Sequence, residues 1–332
     1  MIVALELAGA FVLIVGGALG FTNAVEWLGQ RLDLGAGAVG ALLAAVGTAL
    51  PESVIPIVAL LSGGGEERAQ IAIGAIVGAP FVLATIAMLL VTLASFAFRD
   101  RREQGQQVVV DRDSTARDLG HFLVLFPLGI AVGAVGLDLP WRLAAAAALL
   151  VGYGVYTRRT VRASTGSEDE ELDSLFFDAS KDDPPTTPQI AAQLAVALAA
   201  IVGGAELFVT AIESIATSLG VSLLVLALVL APLATELPEK ANTILWIRRG
   251  KDTLAVGNIT GAMMFQATVP LAFGLVVTDW RLSGAAIVAG CIALAGAALA
   301  LWVLPRGRGG LGPSAAWVGL FAAFLAYVAL ET

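Results

Sequence analysis

Histidine, cysteine and charged residues are scarce in this chain of 332 residues, which has one histidine, His121, and one cysteine, Cys291. A single cysteine excludes an internal disulfide and a thiolate metal cluster. A single histidine argues against a metal centre built from imidazoles. Charged residues are 14% of the chain, whereas 58% is hydrophobic. That balance excludes a disordered chain and an ordinary soluble enzyme.

Apolar stretches of about 20 residues recur along the whole chain and predict an all-α polytopic membrane protein. A membrane β-barrel is disfavoured because the apolar runs are continuous rather than alternating. The sequence predicts ten transmembrane helices, near 2–25, 36–62, 70–97, 119–138, 141–157, 189–212, 220–247, 253–278, 283–304 and 314–331.

Basic residues are concentrated in alternate loops, those that follow the odd-numbered spans. The opposite loops contain only Arg68, Arg142 and Arg281. The positive-inside rule therefore predicts a multi-pass protein of the cell membrane with both termini extracellular. The formal charge of −8 lies mostly in loops and gives no indication of a nucleic-acid partner.

One long hydrophilic segment, 158–188, separates two halves and is rich in acidic residues between 168 and 183. On the predicted topology this linker is cytoplasmic. A solvated tether is the favoured interpretation, and a regulatory ion-binding loop is the alternative.

The two halves repeat each other. Residues 16–52 fall on 203–239 at an offset of 187, which places Leu50-Pro-Glu52 on Leu237-Pro-Glu239. Each half has an odd number of spans, so the second half must enter the membrane from the opposite side. The sequence thus predicts two inverted five-helix repeats, 1–157 and 189–332, the ground plan of many secondary transporters.

Each half places a glutamate directly after a proline inside an apolar run: Glu52 after Pro51, and Glu239 after Pro238. A carboxylate at that depth is costly and indicates a functional site. Proline removes one helical hydrogen bond and frees a carbonyl oxygen. We therefore expect spans two and seven to be broken here, facing each other at mid-membrane around a cation. Carboxylate and carbonyl oxygens suit a hard cation such as Ca²⁺.

Three further residues of these elements are candidate ligands. Thr48 and Thr235 precede the two glutamates by four residues and share their helical face. Their alternative role is a hydrogen bond to the preceding turn. Glu236 adds a third carboxylate, so that it either holds a proton for part of the cycle or pairs with Lys240 at i, i+4 spacing.

At these residues the sequence resembles the cation/calcium exchanger superfamily, whose members have ten core spans in two inverted halves. Its Gly-Thr-Ser-x-Pro-Glu element is matched at Thr48, Pro51 and Glu52, and at Thr235, Pro238 and Glu239. The resemblance implies that Glu52 and Glu239 bind the transported ion.

The second family element, Gly-Asn-x-x-Gly-Ser-Asn-x-x-Asn/Asp, is matched by Gly257, Asn258 and Gly261, and it makes Asn258 and Gln266 candidate ligands. Asn258 has a second interpretation, a hydrogen bond between helices. Several family hydroxyl and amide positions are instead apolar: Ala49, Ala79, Ala262 and Leu83.

The resemblance predicts a secondary cation antiporter that moves Ca²⁺ or a related cation against H⁺ or Na⁺, with alternating access around Glu52 and Glu239. The lost hydroxyls favour protons over sodium as the coupling ion. The alternatives are a monovalent cation/proton antiporter and a degenerate, non-transporting membrane scaffold. No enzyme motif is present, so a transporter is expected rather than an intramembrane enzyme. The expected partners are inorganic cations and the lipid bilayer, with no resident cofactor, and the sequence carries no signal of oligomeric state.

Overall fold

The protein is described by a computed structural model. The structure describes residues 2–31, 52–61, 65–163, 174–178 and 185–331, and all regular secondary structure in these ranges is helical. The α-helices are α1 Ile2–Arg31, α2 Glu52–Leu61, α3 Gly65–Val82, α4 Met88–Ala97, α5 Arg112–Val135, α6 Leu139–Ala163, α7 Thr187–Leu219, α8 Leu223–Arg248, α9 Asp252–Gln266, α10 Val269–Val277, α11 Gly284–Val303 and α12 Leu311–Glu331.

Eight helical stretches of the described chain are long and apolar enough to cross a membrane. One of them, Gly65–Ala97, joins α3 and α4 through a π-helical turn, Leu83–Ala87, and another, Asp252–Val277, joins α9 and α10. A shorter apolar helix, Glu52–Leu61, falls within the predicted second span, and the apolar first part of α8, Leu223–Leu233, falls within the predicted seventh span. The prediction of an all-helical polytopic membrane protein is therefore confirmed, and the count of ten remains a prediction.

Helices α1 and α7 lie antiparallel against each other along most of their length. We call them the α1–α7 pair. Glycine permits this close approach, because a Cβ atom on Gly17 would lie 2.8 Å from the carbonyl oxygen of Ala197. In the same way, a Cβ atom on Gly204 would lie 3.0 Å from the carbonyl oxygen of Ala10. The two backbones can therefore pack at a distance that larger residues would prevent.

Helices α3 and α8 cross even more closely. A Cβ atom on Gly78 would lie 2.1 Å from the carbonyl oxygen of Leu228, and one on Gly74 would lie 2.6 Å from that of Leu224. The carbonyl of Leu228 lacks the usual helical donor because the residue four positions later, Pro232, has no N–H. That oxygen is instead covered by the glycine face of α3.

Buried apolar side chains form two main cores. One joins the α1–α7 pair to α2, α3 and α8, with Phe208 and Ile55 near its centre. The larger core joins α3, α4, α5, α6, α8, α9, α10, α11 and α12, and it includes the stacked rings of Phe81 and Phe321. Helices α3 and α8 contribute to both cores, so they are the elements that hold the two parts of the molecule together.

The predicted break in span seven is wrong. Helix α8 is continuous from Leu223 to Arg248, and its helical backbone passes through both Pro232 and Pro238. Neighbouring helices can stabilise a proline-containing membrane helix whose freed carbonyls find other contacts, as that of Leu228 does against α3. The corresponding part of span two, including Thr48 and Pro51, lies outside the described residues.

The linker between the halves is anchored where it is described. Helix α6 continues to Ala163, beyond the predicted end of its span at residue 157. Leu175 is buried at 1% exposure, and the backbone N–H of Phe177 donates to the side-chain oxygen of Gln193 at 2.9 Å. The Gln193 amide in turn donates to Oδ1 of Asn23 at 2.9 Å. Residues 174–178 therefore dock on the end of the α1–α7 pair rather than forming part of a solvated tether.

Candidate functional site

A narrow cleft lies where α2, α3 and α8 meet. The space between its lining atoms, part of which is open to the surroundings, is about 160 Å³. The lining residues are Glu52 and Ile55 of α2, Ala75 and Ala79 of α3, and Ala231, Pro232 and Thr235 of α8. The cleft thus joins three helices that carry the predicted site elements.

Glu52 supplies the carboxylate of this cleft. It is the first described residue of α2 and is only 6% exposed. The other lining residues apart from Thr235 are apolar, so the carboxylate lies in surroundings that disfavour an uncompensated charge. Such a position suits a group whose charge is balanced by a bound cation or proton.

Thr235 lines the same cleft as Glu52 and is 2% exposed. Its hydroxyl donates to the carbonyl oxygen of Ala231 at 3.2 Å. From the sequence, a hydrogen bond to the preceding turn and a role in the site were alternative interpretations of Thr235. In the structure, Thr235 makes that hydrogen bond and also lines the cleft. A hydroxyl that donates to its own helix still presents its oxygen lone pairs to a cation.

The tight crossing of α3 and α8 explains the position of the cleft. Because Gly74 and Gly78 let the helices touch, the next residues on α3, Ala75 and Ala79, lie beside Ala231 of α8. The methyl group of Ala79 occupies a position where the resemblance predicts a serine. The structure therefore places an apolar wall where the resemblance predicts a hydroxyl.

The other candidate ligands, apart from Thr48, lie in α8 and α9, and none of them is seen to line the cleft formed by the described residues. Glu239 lies in α8, four residues after Thr235, and its side chain lies outside the described part of the structure. On α9, Gln266 is buried at 2% exposure and Asn258 is half-buried. α9 packs against α3 and α8. Neither amide lines the cleft formed by the described residues.

Glu236 also lies away from the cleft lining and forms an ion pair with Lys240. The paired alternative that the sequence offered is thus the arrangement seen in the structure. Within the described ranges, no three acidic, histidine or cysteine side chains come together as a metal-binding group.

Other buried or paired charged residues were not found from the sequence. Asp118 of α5 is 4% exposed and accepts a hydrogen bond from the hydroxyl of Thr260 on α9 at 2.9 Å. Arg68 binds Glu206 at 3.0 Å and Glu213 at 2.8 Å, which ties the start of α3 to the α1–α7 pair. One sequence feature could have drawn attention to Arg68: it is one of only three basic residues on its predicted side of the membrane.

Comparison with known proteins identifies the family. The sodium/calcium exchanger protein family matches residues 2–161 and 190–330. Because these ranges cover most of the sequence, the chain belongs to this family, and the predicted relationship to cation/calcium exchangers is confirmed.

Three similar proteins show how far the likeness extends. CaxA of Alkalimonas amylolytica, provisionally named an antiporter, is 24% identical over 306 residues, 88% of this chain and 86% of CaxA. The crystal structure of the H⁺/Ca²⁺ exchanger CAX has a TM-score of 0.74 and 17% identity over 98% of this chain and 81% of its own. The sodium-calcium exchanger NCX_Mj has a TM-score of 0.62 and 19% identity over 98% of each chain. At these identities the two structures establish a shared fold.

Proposed function

We propose that this protein is a secondary cation antiporter that exchanges Ca²⁺ or a related cation for H⁺ or Na⁺. The observation that carries the proposal is the shared cleft of Glu52 and Thr235, inside a chain of the sodium/calcium exchanger family. A buried carboxylate and a hydroxyl from separate helices offer hard oxygen ligands. In this proposal Glu239, with Thr48, Asn258 and Gln266 as further candidates, completes the coordination of the transported ion.

The proposed architecture has ten spans in two inverted repeats, 1–157 and 189–332. The α1–α7 pair supports it through reciprocal contacts. Gly17 packs against Ile201, and Gly204 packs against Ile14. The repeat offset of 187 relates Gly17 to Gly204 and Ile14 to Ile201, so the two contacts are equivalent under the repeat. Equivalent contacts of this kind are what a two-fold axis between α1 and α7 produces.

The proposed mechanism is alternating access of the cleft to the two membrane faces. A cation bound at Glu52 and Glu239 would neutralise carboxylates that are costly to leave ionised inside the protein. The same carboxylates would accept protons when the cation leaves. The site would therefore carry no uncompensated charge when its access changes from one membrane face to the other. Both termini are proposed to be extracellular and the linker 158–188 cytoplasmic.

One observation favours a monovalent cation/proton antiporter as the second candidate. Four of the seven lining residues are the alanines Ala75, Ala79 and Ala231 and the proline Pro232, so the described wall offers few oxygen atoms. Ca²⁺ prefers six to eight oxygen ligands. A cation with a smaller demand for ligands would suit such a wall better.

Ion flux into proteoliposomes tests the proposal. Purified protein is reconstituted, and Ca²⁺, Na⁺ and K⁺ uptake are each measured with an imposed pH gradient, acid inside, and with an imposed sodium gradient. Ca²⁺ uptake driven by the pH gradient supports the proposal with protons as coupling ion. Uptake that requires sodium would reassign the coupling ion. Absence of flux for every cation, together with no cation-dependent thermal stabilisation, would favour a non-transporting scaffold.

A further inference from the structure

The third and eighth predicted spans are each interrupted, at equivalent positions of the two halves. The π-helical turn Leu83–Ala87 interrupts the third span between α3 and α4. A turn of two residues, 267–268, interrupts the eighth span between α9 and α10. The offset of 183 that aligns Gly74 with Gly257 places the start of the π-helical turn on Gln266, directly before the second turn. Interruptions of this kind are frequent at functional sites of helices.

A threonine hydroxyl closes each interruption. In the eighth span, the backbone N–H of Thr268 donates to the carbonyl oxygen of Phe265, three residues earlier, at 3.0 Å. The hydroxyl of Thr268 donates to the carbonyl oxygen of Met264 at 2.6 Å, the acceptor that this N–H would use in an α-helix. In the third span, the hydroxyl of Thr85 donates to the carbonyl oxygen of Phe81, also at 2.6 Å. Both threonines are fully buried, and the offset of 183 relates one bond to the other.

Gln266 is the middle residue of the segment Met264–Thr268 that the hydroxyl bond closes. It is 2% exposed, and its side-chain amide makes no hydrogen bond within the described part of the chain. A buried amide without a partner is destabilising, and a bound cation that takes its oxygen would remove part of that cost. Leu83 is the middle residue of the equivalent segment, and its side chain has no polar atom. The same bond therefore encloses a potential ligand in one half and an apolar residue in the other.

The hydroxyl of Thr268 restrains a part of the chain that the helical ladder leaves unsupported. Pro270 has no N–H, so the carbonyl of Gln266, four residues earlier, has no helical donor. On the other side of Gln266, the ring of Phe265 makes an edge-on contact with the ring of Tyr153 on α6, at a centroid distance of 5.9 Å. A change in the turn would therefore reorient Gln266 relative to a neighbour that is held in place.

We propose that Thr268 is a positioning residue of the transport site, because its hydroxyl bond to Met264 holds the turn from which Gln266 presents its amide oxygen to the transported cation. This inference rests on the proposed antiporter function, in which Gln266 is a candidate ligand. Thr85 makes the same bond around Leu83, so its hydroxyl contributes to folding and not to cation affinity. The difference between the two halves provides an internal control.

The experiment measures the KM for Ca²⁺ of matched threonine variants in proteoliposomes, with uptake driven by a pH gradient. Thr268→Val removes the hydroxyl and keeps the branched shape, and we expect the KM to rise about tenfold while the maximal rate stays within about threefold. Thr85→Val removes the equivalent bond and should leave the KM within about twofold of the unmodified protein. Thr268→Ser keeps the hydroxyl and should restore the KM.

A double variant tests whether Thr268 acts through Gln266. We expect Gln266→Ala to raise the KM about tenfold or more, and addition of Thr268→Val should then produce no further rise. Independent, additive effects would overturn the inference. An equal rise in Thr85→Val and Thr268→Val would also overturn it, because it would show that a looser fold alone weakens uptake. An unchanged KM in Thr268→Val or in Gln266→Ala would do the same.

Thermal unfolding of the purified variants reports folding and supplies a second readout. Without Ca²⁺, we expect Thr268→Val and Thr85→Val to lower the Tm by similar amounts. The rise in Tm on adding Ca²⁺ should be reduced in Thr268→Val and retained in Thr85→Val. If either valine variant does not fold, Thr268→Ala and Thr85→Ala take their place in the same comparison. Absence of both uptake and Ca²⁺-dependent stabilisation in the unmodified protein would instead contradict the proposed function.

Discussion

The guanidinium of Arg102 binds both carboxylate oxygens of Asp252, at 3.0 and 2.7 Å, and neither side chain is exposed. Arg102 also donates to the carbonyl oxygens of Gly105 and Gln107, and Asp252 accepts the backbone N–H of Val109. A buried ion pair is stable when such hydrogen bonds satisfy its remaining donors and acceptors. This pair fastens the loop after α4 to the first turn of α9.

Loss of one member of this pair should therefore be costly. We expect Arg102→Ala to reduce the free energy of unfolding by about 3–5 kcal/mol, since it leaves the Asp252 carboxylate buried and uncompensated. The measurement is thermal unfolding of the purified protein in detergent. The neighbouring exposed residue provides the control, because Arg101→Ala should change stability by less than about 0.5 kcal/mol. Equal effects of the two substitutions would show that the pair does not stabilise the fold.

Glu52→Gln is expected to abolish Ca²⁺ uptake while leaving the protein folded. The substitution keeps the shape of the side chain and removes its charge, and we expect a loss of about a hundredfold or more in proteoliposomes. Glu66→Gln removes an exposed carboxylate from the first turn of α3 and should retain normal uptake. Normal flux in Glu52→Gln would show that this carboxylate is not a ligand.

The hydroxyl of Thr235 is predicted to contribute to cation affinity. Thr235→Val replaces the hydroxyl with a methyl group of similar size, and we expect the KM for Ca²⁺ to rise about tenfold because one oxygen is lost from the cleft. Thr235→Ser keeps the oxygen and should stay within about threefold of the unmodified protein. If the two variants have the same KM, the hydroxyl serves only the hydrogen bond to Ala231.

Adjacent glycines in the α1–α7 pair provide a test of the helix crossing. We expect Gly17→Ala and Gly204→Ala each to destabilise the protein by about 1–3 kcal/mol, since the added Cβ would overlap the opposite helix. Gly16 and Gly203 have no atom within 4 Å of such a Cβ. Alanine at either position should therefore be neutral or stabilising by up to about 1 kcal/mol through higher helix propensity. Thermal unfolding of the four variants distinguishes these outcomes.

The general fold could be predicted because long apolar runs and paired Pro-Glu elements are local features of the sequence. The partners of Arg102 and Arg68 could not, since these contacts join residues 138–150 positions apart and no local pattern selects one distant charge over another. The break expected in α8 was wrong for a related reason. A proline removes one hydrogen bond locally, but packing against α3 decides whether the helix continues.

The contact glycines of the α1–α7 pair were also predictable only in part. The repeat offset aligned Gly16-Gly17 with Gly203-Gly204, but it could not tell which glycine of each pair faces the other helix. In the structure, Gly17 and Gly204 lie at the contact. In the site, Glu52 and Thr235 are residues that the sequence singled out and that line one cleft, whereas the alanine wall of the cleft depends on how α3 and α8 cross.

The antiparallel packing of α1 on α7 also sets an order of events during biosynthesis. Gly17 is synthesised well before its contact residue Ala197, which is added only after the whole first half. At about 5–20 residues per second, the ribosome needs roughly ten to forty seconds to cover that distance. During this interval α1 waits in lipid without its main partner. Pairing of α1 with α7 can therefore begin only once α7 has been made, and a chain that stops before α7 leaves the glycine face of α1 open to other membrane proteins.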